Sequence, residues 1–273
     1  MKSKLIRIKT DDNKEIQSLL YSDSNKERIV VLIHGACMNF TTGISQFIPQ
    51  LSASFNYYDF LSINTRAHDI GYIVNSYREK DGWAWQTLDK NRYDLDAVFS
   101  YLHEAGYREI ILCGHSWGGL IGLDYIQNFN DIIDGLILLS PTVSYKLLLE
   151  VNYRDDILNI VEKAKKMVLE KKPDDIVMTG KNSPLPFMSA KTIVDFYYSS
   201  FDAQRFLEEV RCKTNIIVGS LEHKKLIAMA QNITKKNCHV ETHIISGANH
   251  FYSNHEVEVV NVIDSILGGN YRE

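Results

Sequence analysis

The stretch Ile110–Leu123 decides the fold of this chain, and its sequence is IILCGHSWGGLIGL. It begins with an apolar run typical of a buried strand and continues, after a glycine-rich turn, in a helix-like pattern. In the turn, Ser116 lies between Gly114 and Gly118 in a Gly-x-Ser-x-Gly spacing. Glycine has no Cβ, so it permits the sharp and strained backbone that this strand–turn–helix requires. The stretch therefore predicts a serine exposed above the edge of a sheet.

Outside this stretch, strand-like and helix-like segments alternate. The β-branched run Arg28–Ile33 is continuous, as expected for a strand buried on both faces. This alternation predicts an α/β fold with a mostly parallel sheet between layers of helices. The predicted strands are Leu5–Ile8, Glu15–Tyr21, Arg28–Ile33, Asp59–Ile63, Ile110–Cys113, Gly135–Leu139, Asn215–Val218 and Cys238–Ile245. The helices predicted between them are Thr41–Ser54, Gln86–Ala105, Trp117–Phe129, Lys224–Lys235 and Ser253–Leu267.

The alternation is interrupted in one place. Between two predicted strands, the helical segments Tyr145–Lys172 and Ile193–Val210 flank a proline-containing segment. We interpret residues 145–210 as a lid or cap inserted into a core formed by residues 1–144 and 211–273. Additional helices on the surface would give the same pattern, and this alternative stays open.

Composition excludes several classes of protein. The 273 residues are 45% apolar and 23% charged, which is typical of a soluble globular protein. A net charge of −4 gives no electrostatic basis for binding nucleic acid or an anionic membrane. The beginning of the chain shows no apolar signal-peptide region, and no run reaches the ~18 apolar residues of a membrane span. The four cysteines have no zinc-binding spacing, so we expect no metal and a cytoplasmic protein with reduced thiols.

A serine hydroxyl needs a base to take its proton, and the base needs an acidic partner. His250 follows the last predicted strand, at the sheet edge where active sites gather. Glu222 follows the preceding strand, which gives the chain order serine, acid, histidine. As an alternative, Glu222 only favours the dipole of the helix that it precedes. Of the other histidines near the motifs, His239 and His243 lie inside the last predicted strand and are predicted to be framework residues. His255 falls within the final predicted helix, and His115 adjoins the serine but is expected to point elsewhere.

The reaction also requires N–H donors for the oxyanion. One donor is expected from Trp117, directly after the serine, and the other from Ala36, in the loop after the third strand. Gly35 is expected to adopt unusual dihedral angles that turn the Ala36 N–H inward. The N–H of Cys37 is the alternative donor.

Four side chains are candidates for the wall of a pocket, namely Cys37, His68, Trp83 and Trp85. Each also has a structural interpretation. The segment that contains His68 begins with Arg66, which could simply pair with an aspartate, and both tryptophans could pack in the core. The thiol of Cys37 would make the site thiol-sensitive only if it were exposed.

Taken together, these motifs resemble the serine hydrolases of the α/β-hydrolase fold over Arg28–Leu267. The resemblance implies an eight-stranded, mostly parallel sheet, a lid insertion, no cofactor and an acyl-enzyme mechanism. Two departures are a glutamate where aspartate is commoner and a His-Gly-Ala-Cys loop that lacks the Gly-Gly-Gly run of some esterases and lipases. A serine nucleophile in place of aspartate argues against epoxide hydrolase and haloalkane dehalogenase chemistry.

The expected function is therefore hydrolysis of a small or medium carboxylic ester or thioester, free or bound to an acyl carrier. Amides, lactones and carbon–carbon bonds are cleaved by the same constellation. Two rival functions stay open. One is acyl transfer or cyclisation in a biosynthetic pathway, and the other is a non-catalytic small-molecule receptor with this fold.

Overall fold

A computed structural model describes residues 2–22, 26–52, 57–74, 79–127, 133–153, 156–178 and 187–268. Within these ranges the chain forms strands and α-helices in an alternating order. The strands are β1 Lys2–Lys9, β2 Glu15–Ser22, β3 Arg28–Ile33, β4 Asp59–Ile63, β5 Tyr72–Val74, β6 Glu79–Asp81, β7 Glu109–His115, β8 Gly135–Leu139, β9 Ile176–Met178, β10 Phe187–Ser189, β11 Lys213–Gly219 and β12 Val240–Ile245. The helices are α1 Ile44–Leu51, α2 Leu88–Glu104, α3 Trp117–Ile126, α4 Tyr145–Tyr153, α5 Ile157–Leu169, α6 Ala190–Tyr198, α7 Ala203–Glu209, α8 Lys224–Lys236 and α9 Glu256–Gly268.

The main sheet contains eight strands in the order β1-β2-β4-β3-β7-β8-β11-β12. The pairs β1–β2 and β2–β4 are antiparallel, and every other neighbouring pair is parallel. The predicted α/β-hydrolase fold with a mostly parallel sheet is confirmed. Because β3, β7, β8, β11 and β12 are parallel, their carboxyl ends meet at one edge, and the loops carrying the predicted site residues leave from that edge.

Successive side chains along the central strands point to opposite faces of the sheet, and this divides the core into two layers. In β3, Ile29, Val31 and Ile33 pack in the layer that includes α2, α3 and α8, whereas Val30 and Leu32 pack in the layer that includes α1 and α9. All five side chains are fully buried. The continuous β-branched run therefore reflects a strand that is covered on both faces.

Element boundaries agree closely with the sequence prediction where the pattern is strong. The strands Arg28–Ile33, Asp59–Ile63 and Gly135–Leu139 have the predicted limits. The first and last helices are shorter than predicted. The prediction for the first included residues 53–54, and the prediction for the helix after the serine included residues 128–129; these residues lie outside the described ranges.

Short elements were missed. The hairpin of β5 and β6 and a 3-10 turn at Trp83–Trp85 replace the predicted loop before α2. In the insertion, the long predicted helices are each two helices, and β9 pairs with β10 in the segment predicted to be irregular. Strands of three residues carry too little alternation to be recognised in a sequence.

The inserted segment packs on the start of α3. Trp117 contacts Tyr145 of α4 and Phe196 of α6, with ring centroids 5.3 Å and 5.2 Å away, and Trp83 lies 4.8 Å from Trp117 in an edge-on contact. Asp195 of α6 accepts a hydrogen bond of 2.6 Å from the N–H of Leu88, the first residue of α2. The helical insertion is thus anchored on the core through aromatic contacts and a helix cap. Its function as a lid and its limits at 145 and 210 remain predictions.

Arg66 connects three parts of the core. Its guanidinium group binds Asp12 in the β1–β2 turn at 2.7 Å and Asp94 of α2 at 2.6 Å. The structural alternative, an arginine–aspartate pair, therefore describes Arg66, and both aspartate partners lie far away in sequence. The hydrogen bond from Arg66 lowers the pKa of Asp12 to about 2, against the opposing effect of burial.

Among the described residues, no helix is long and apolar enough to cross a membrane.

Replacing Gly118 with alanine tests a close approach between two backbone segments. A Cβ at this position would collide with the carbonyl oxygen of Ile33 and lie 2.6 Å from that of His34. Backbone cannot move aside like a flexible side chain, so we expect G118A to lower the free energy of unfolding by about 1–3 kcal/mol. Urea denaturation measures this change. G268A is the matched control, because a Cβ at Gly268 meets nothing within 4 Å; equal stabilities of the two variants would contradict the prediction.

Candidate active site

Ser116 occupies the sharp turn between β7 and α3. Its backbone has φ 52° and ψ −113°, a left-handed conformation that is rare for a residue with a Cβ. The turn is held by a 2.9 Å hydrogen bond from the Ser116 N–H to the carbonyl of Leu139 in β8. Gly114 and Gly118 make it possible, since a Cβ at Gly114 would lie 2.6 Å from the backbone of Gly118. Both glycines therefore allow backbone segments to approach closely, whereas the strained dihedral angles belong to Ser116.

The structure brings the three residues predicted for the proton relay into one hydrogen-bonded row. The Oγ of Ser116 lies 3.0 Å from Nε2 of His250. On the other side of the ring, Nδ1 lies 2.8 Å from Oε1 of Glu222. Because an ionised carboxylate can only accept, Nδ1 carries the hydrogen, and Nε2 is left to accept the hydrogen of Ser116.

Glu222 is well placed to remain ionised. Its side chain is 9% exposed, and burial by itself raises the pKa of the carboxyl. Hydrogen bonds from His250 and Ser140 outweigh burial, so the pKa of Glu222 lies below its ordinary value. The loops that carry Glu222 and His250 touch at Gly219, where a Cβ would collide with the carbonyl oxygen of Ala248.

The loop after β3 approaches the turn from the opposite side. Gly35 is tightly enclosed, since a Cβ there would lie 3.0 Å from Nδ1 of His115 and 3.1 Å from Sδ of Met38. The expectation that Gly35 adopts unusual dihedral angles is wrong, because the residue with positive φ in this loop is Cys37, at 58°. Within the described residues, the N–H groups of Ala36 and Cys37 have no acceptor. That Ala36 and Trp117 donate to an oxyanion stays a prediction.

Sequence reasoning missed the side chains that support this row. Thr142, after β8, places Oγ1 3.5 Å from Oγ of Ser116, and its N–H donates to the Ser116 carbonyl at 3.1 Å. Ser140 lies at the end of β8 with φ 43°, and its Oγ is 2.8 Å from the hydroxyl of Tyr252. The signal in the sequence was their position directly after a buried strand.

The candidate pocket residues have different surroundings. Trp83 has no exposed surface and packs between Trp117 and Phe196, so the core-packing alternative describes it. Trp85 donates its indole N–H to the carbonyl of Asp174 at 3.0 Å and therefore contacts the insertion. The Nδ1 of His68 is 2.7 Å from Asp69, and its ring stacks on Tyr72 at 4.1 Å.

Two cavities lie beside α3 on the side of the insertion, with volumes of about 680 and 220 Å³. Both are lined by Leu88 and Asp124. Ser116, His250 and Glu222 line neither of them, so these cavities do not by themselves define where a substrate binds.

A strained serine turn at the carboxyl edge of an eight-stranded, mostly parallel sheet is typical of a serine hydrolase of the α/β-hydrolase class. A family profile described as serine aminopeptidase, S33 matches residues 24–250, and the chain belongs to this family. No curated protein shows significant sequence similarity to the chain.

Solved structures of other hydrolases share the fold. The α/β hydrolase GrgF from Penicillium sp. sh18 superposes with a TM-score of 0.73 at 14% identity, over 98% of this chain and 99% of its own. Est1E from Butyrivibrio proteoclasticus, solved with ferulic acid, superposes with a TM-score of 0.69 at 17% identity, over 98% of this chain and 100% of its own. A highly thermostable carboxyl esterase from Bacillus coagulans superposes with a TM-score of 0.70 at 14% identity, over 98% of this chain and 99% of its own. At these identities the likeness establishes the fold alone.

Alkylation tests the state of the thiol beside the oxyanion loop. Burial, reinforced by the negative charge of Asp69, raises the pKa of Cys37 to about 12. A thiol is the reactive thiolate only above its pKa, so Cys37 remains protonated at pH 7.5. We expect iodoacetamide at this pH to modify the exposed Cys238 and to leave Cys37 unmodified, as measured by peptide mass spectrometry. An alkylated Cys37 peptide recovered from the folded protein would contradict this prediction.

Proposed function

We propose that this protein hydrolyses small or medium carboxylic esters through an acyl-enzyme, with thioesters as the closest alternative substrates. The observation that carries the proposal is the unbroken row from Ser116 Oγ through His250 to Glu222, with contacts of 3.0 Å and 2.8 Å. Each contact lies within the range required for direct proton transfer.

The proposed reaction has two halves. Ser116 Oγ attacks the carbonyl carbon while its proton passes to His250 Nε2, and Glu222 stabilises the resulting imidazolium ion. The negative charge that forms on the carbonyl oxygen is held by the N–H groups of Ala36 and Trp117. His250 then protonates the leaving alcohol or thiol. In the second half His250 activates water, which attacks the acyl carbon and releases the acid and free Ser116.

Three observations support an ester as the substrate. The chain belongs to a family of serine hydrolases, its structural neighbours include esterases, and one neighbour was solved with ferulic acid bound. The family description also names aminopeptidases, which cleave amides. Amide hydrolysis is therefore a second candidate, and the two differ in the leaving group that His250 must protonate.

Labelling with a fluorophosphonate and a substrate panel together test the proposal. We expect the probe to form one adduct, on Ser116, in the parent and in the exposed-surface variant S100A, and none in S116A. Intact-protein and peptide mass spectrometry locate the adduct. We then expect turnover of p-nitrophenyl esters from acetyl to decanoyl, with weaker turnover of aminoacyl p-nitroanilides.

Three results of this experiment would count against the proposal. A folded parent that acquires no adduct on Ser116 would be a binding protein instead of an enzyme. Turnover of the anilides without the esters would favour the aminopeptidase. A product ester that forms on addition of an alcohol, in excess of free acid, would identify an acyltransferase.

Removing the charge of Glu222 tests its assigned function. In E222Q the side chain keeps its shape but no longer stabilises the imidazolium ion, so we expect kcat to fall by about 10²–10⁴-fold. E241Q is the matched control, because Glu241 lies 4.0 Å from a different histidine, His243, and is 68% exposed. Circular dichroism confirms that both variants fold. If E222Q and E241Q have the kcat of the parent, a different residue supplies the acid.

A further inference from the structure

One buried titratable side chain beside the site has no part in the proposed reaction. His115 ends β7, directly before the nucleophile, and is 2% exposed. Its ring contacts the loop that carries the base, with centroids 5.1 Å from His250, 6.1 Å from Phe251 and 6.2 Å from Tyr252. The side chain therefore connects the turn at Ser116 to that loop.

The contacts of the ring assign its tautomer. Nε2 lies 2.9 Å from the carbonyl oxygen of His250, and because a carbonyl can only accept, Nε2 carries the hydrogen and donates it. Nδ1 then has a lone pair, and it has no hydrogen-bond partner among the described residues. It faces Gly35, where a Cβ would be 3.0 Å away.

The charge state of the ring follows from its surroundings. Burial, together with the neighbouring His250, lowers the pKa of His115 to about 4. The other titratable groups that act on it are Glu222 and His34, and His34 is itself buried with a pKa lowered by burial to about 4. At neutral pH His115 is therefore uncharged, and it adds no like charge when His250 becomes an imidazolium ion.

Holding the base at two points has a geometric consequence. The carboxylate of Glu222 fixes the ring of His250 through Nδ1, but it leaves the backbone free to shift around that contact. The hydrogen bond from His115 fixes the backbone at the carbonyl oxygen of the same residue. The ring of His115 also packs against Gly35, in the loop after β3. It therefore also fixes the distance between His250 and the N–H groups of that loop.

We infer that His115 is a positioning residue, whose Nε2–H holds the His250 backbone so that the imidazole stays aligned between Glu222 and Ser116. This inference rests on the proposed function of the three residues. It does not require His115 to exchange a proton or to touch the substrate.

The substitutions H115Q and H115M separate the hydrogen bond from the packing. Glutamine and methionine are unbranched and similar in length, but only glutamine carries an N–H near the place of Nε2. We expect kcat/KM of H115Q to exceed that of H115M by about fivefold or more, with most of the difference in kcat, since a buried carbonyl without its donor is free to move. H115N, whose amide is too short to reach, should resemble H115M.

The split of the loss between kcat and KM supplies a readout that packing alone would not change. We expect the KM of H115M to stay near the parent value while its kcat falls. H115Q should recover most of that kcat, because glutamine restores an N–H donor to the carbonyl of His250. Thermal melting of each variant corrects the rates for the folded fraction.

Some outcomes would overturn the inference. Equal kcat/KM values for H115Q and H115M would do so, as would a loss of rate in H115M that its smaller folded fraction fully accounts for, which is the result for a packing residue. If H115M does not fold, the comparison of H115Q with H115N decides in the same way. Failure of the proposed function looks different, since the parent itself would then acquire no fluorophosphonate adduct on Ser116.

Discussion

The site depends on one contact between backbones, where the start of α3 crosses the end of β3 at Gly118. A side chain there would collide with the carbonyl oxygens of Ile33 and His34. This approach brings the turn at Ser116 against the loop that begins at His34. Hydrogen bonds from Ser116 N–H to Leu139 and from Thr142 N–H to Ser116 then join the turn to the end of β8. Three strand ends are thus locked around a residue with strained dihedral angles, which is how such strain is maintained.

The titratable side chains around this turn differ in charge. Glu222 stays ionised beside His250, while burial keeps His34 and His115 neutral. Neutral His34 donates from Nδ1 to the carbonyl of Gly35 at 2.9 Å and accepts at Nε2 from the N–H of Thr65 at 3.2 Å, so it holds the loop after β3 to the loop after β4. The buried histidines therefore provide hydrogen bonds without adding a positive charge close to His250.

Much of this arrangement could be predicted because it depends on local patterns. A strand buried on both faces requires a continuous β-branched run, and Arg28–Ile33 has one. The spacing of glycines around Ser116 and the positions of Glu222 and His250 after strands were likewise visible in the chain. The contacts of His115, Ser140 and Thr142 were not, because they form between loops that are distant in sequence.

The same limit explains the errors. The positive φ in the loop after β3 lies at Cys37 and not at Gly35. The side chains that enclose Gly35 are His115, from another strand, and Met38, from later in the loop, and neither contact is visible in the local sequence. The short pairs β5–β6 and β9–β10 form against tertiary neighbours and have no periodicity of their own. Arg66 was noticed as an ion-pair residue, but nothing local indicated that its partners are Asp12 and Asp94.

The aromatic contact between the insertion and α3 limits which segments this protein can exchange with its relatives. Trp117 supplies a backbone N–H next to the serine and, with its indole, the surface on which Tyr145 and Phe196 are seated. One residue therefore belongs to two modules. A chimera that receives a foreign insertion keeps the serine turn but loses the partners of that indole. The insertion and the residue that follows the serine therefore have to be exchanged together.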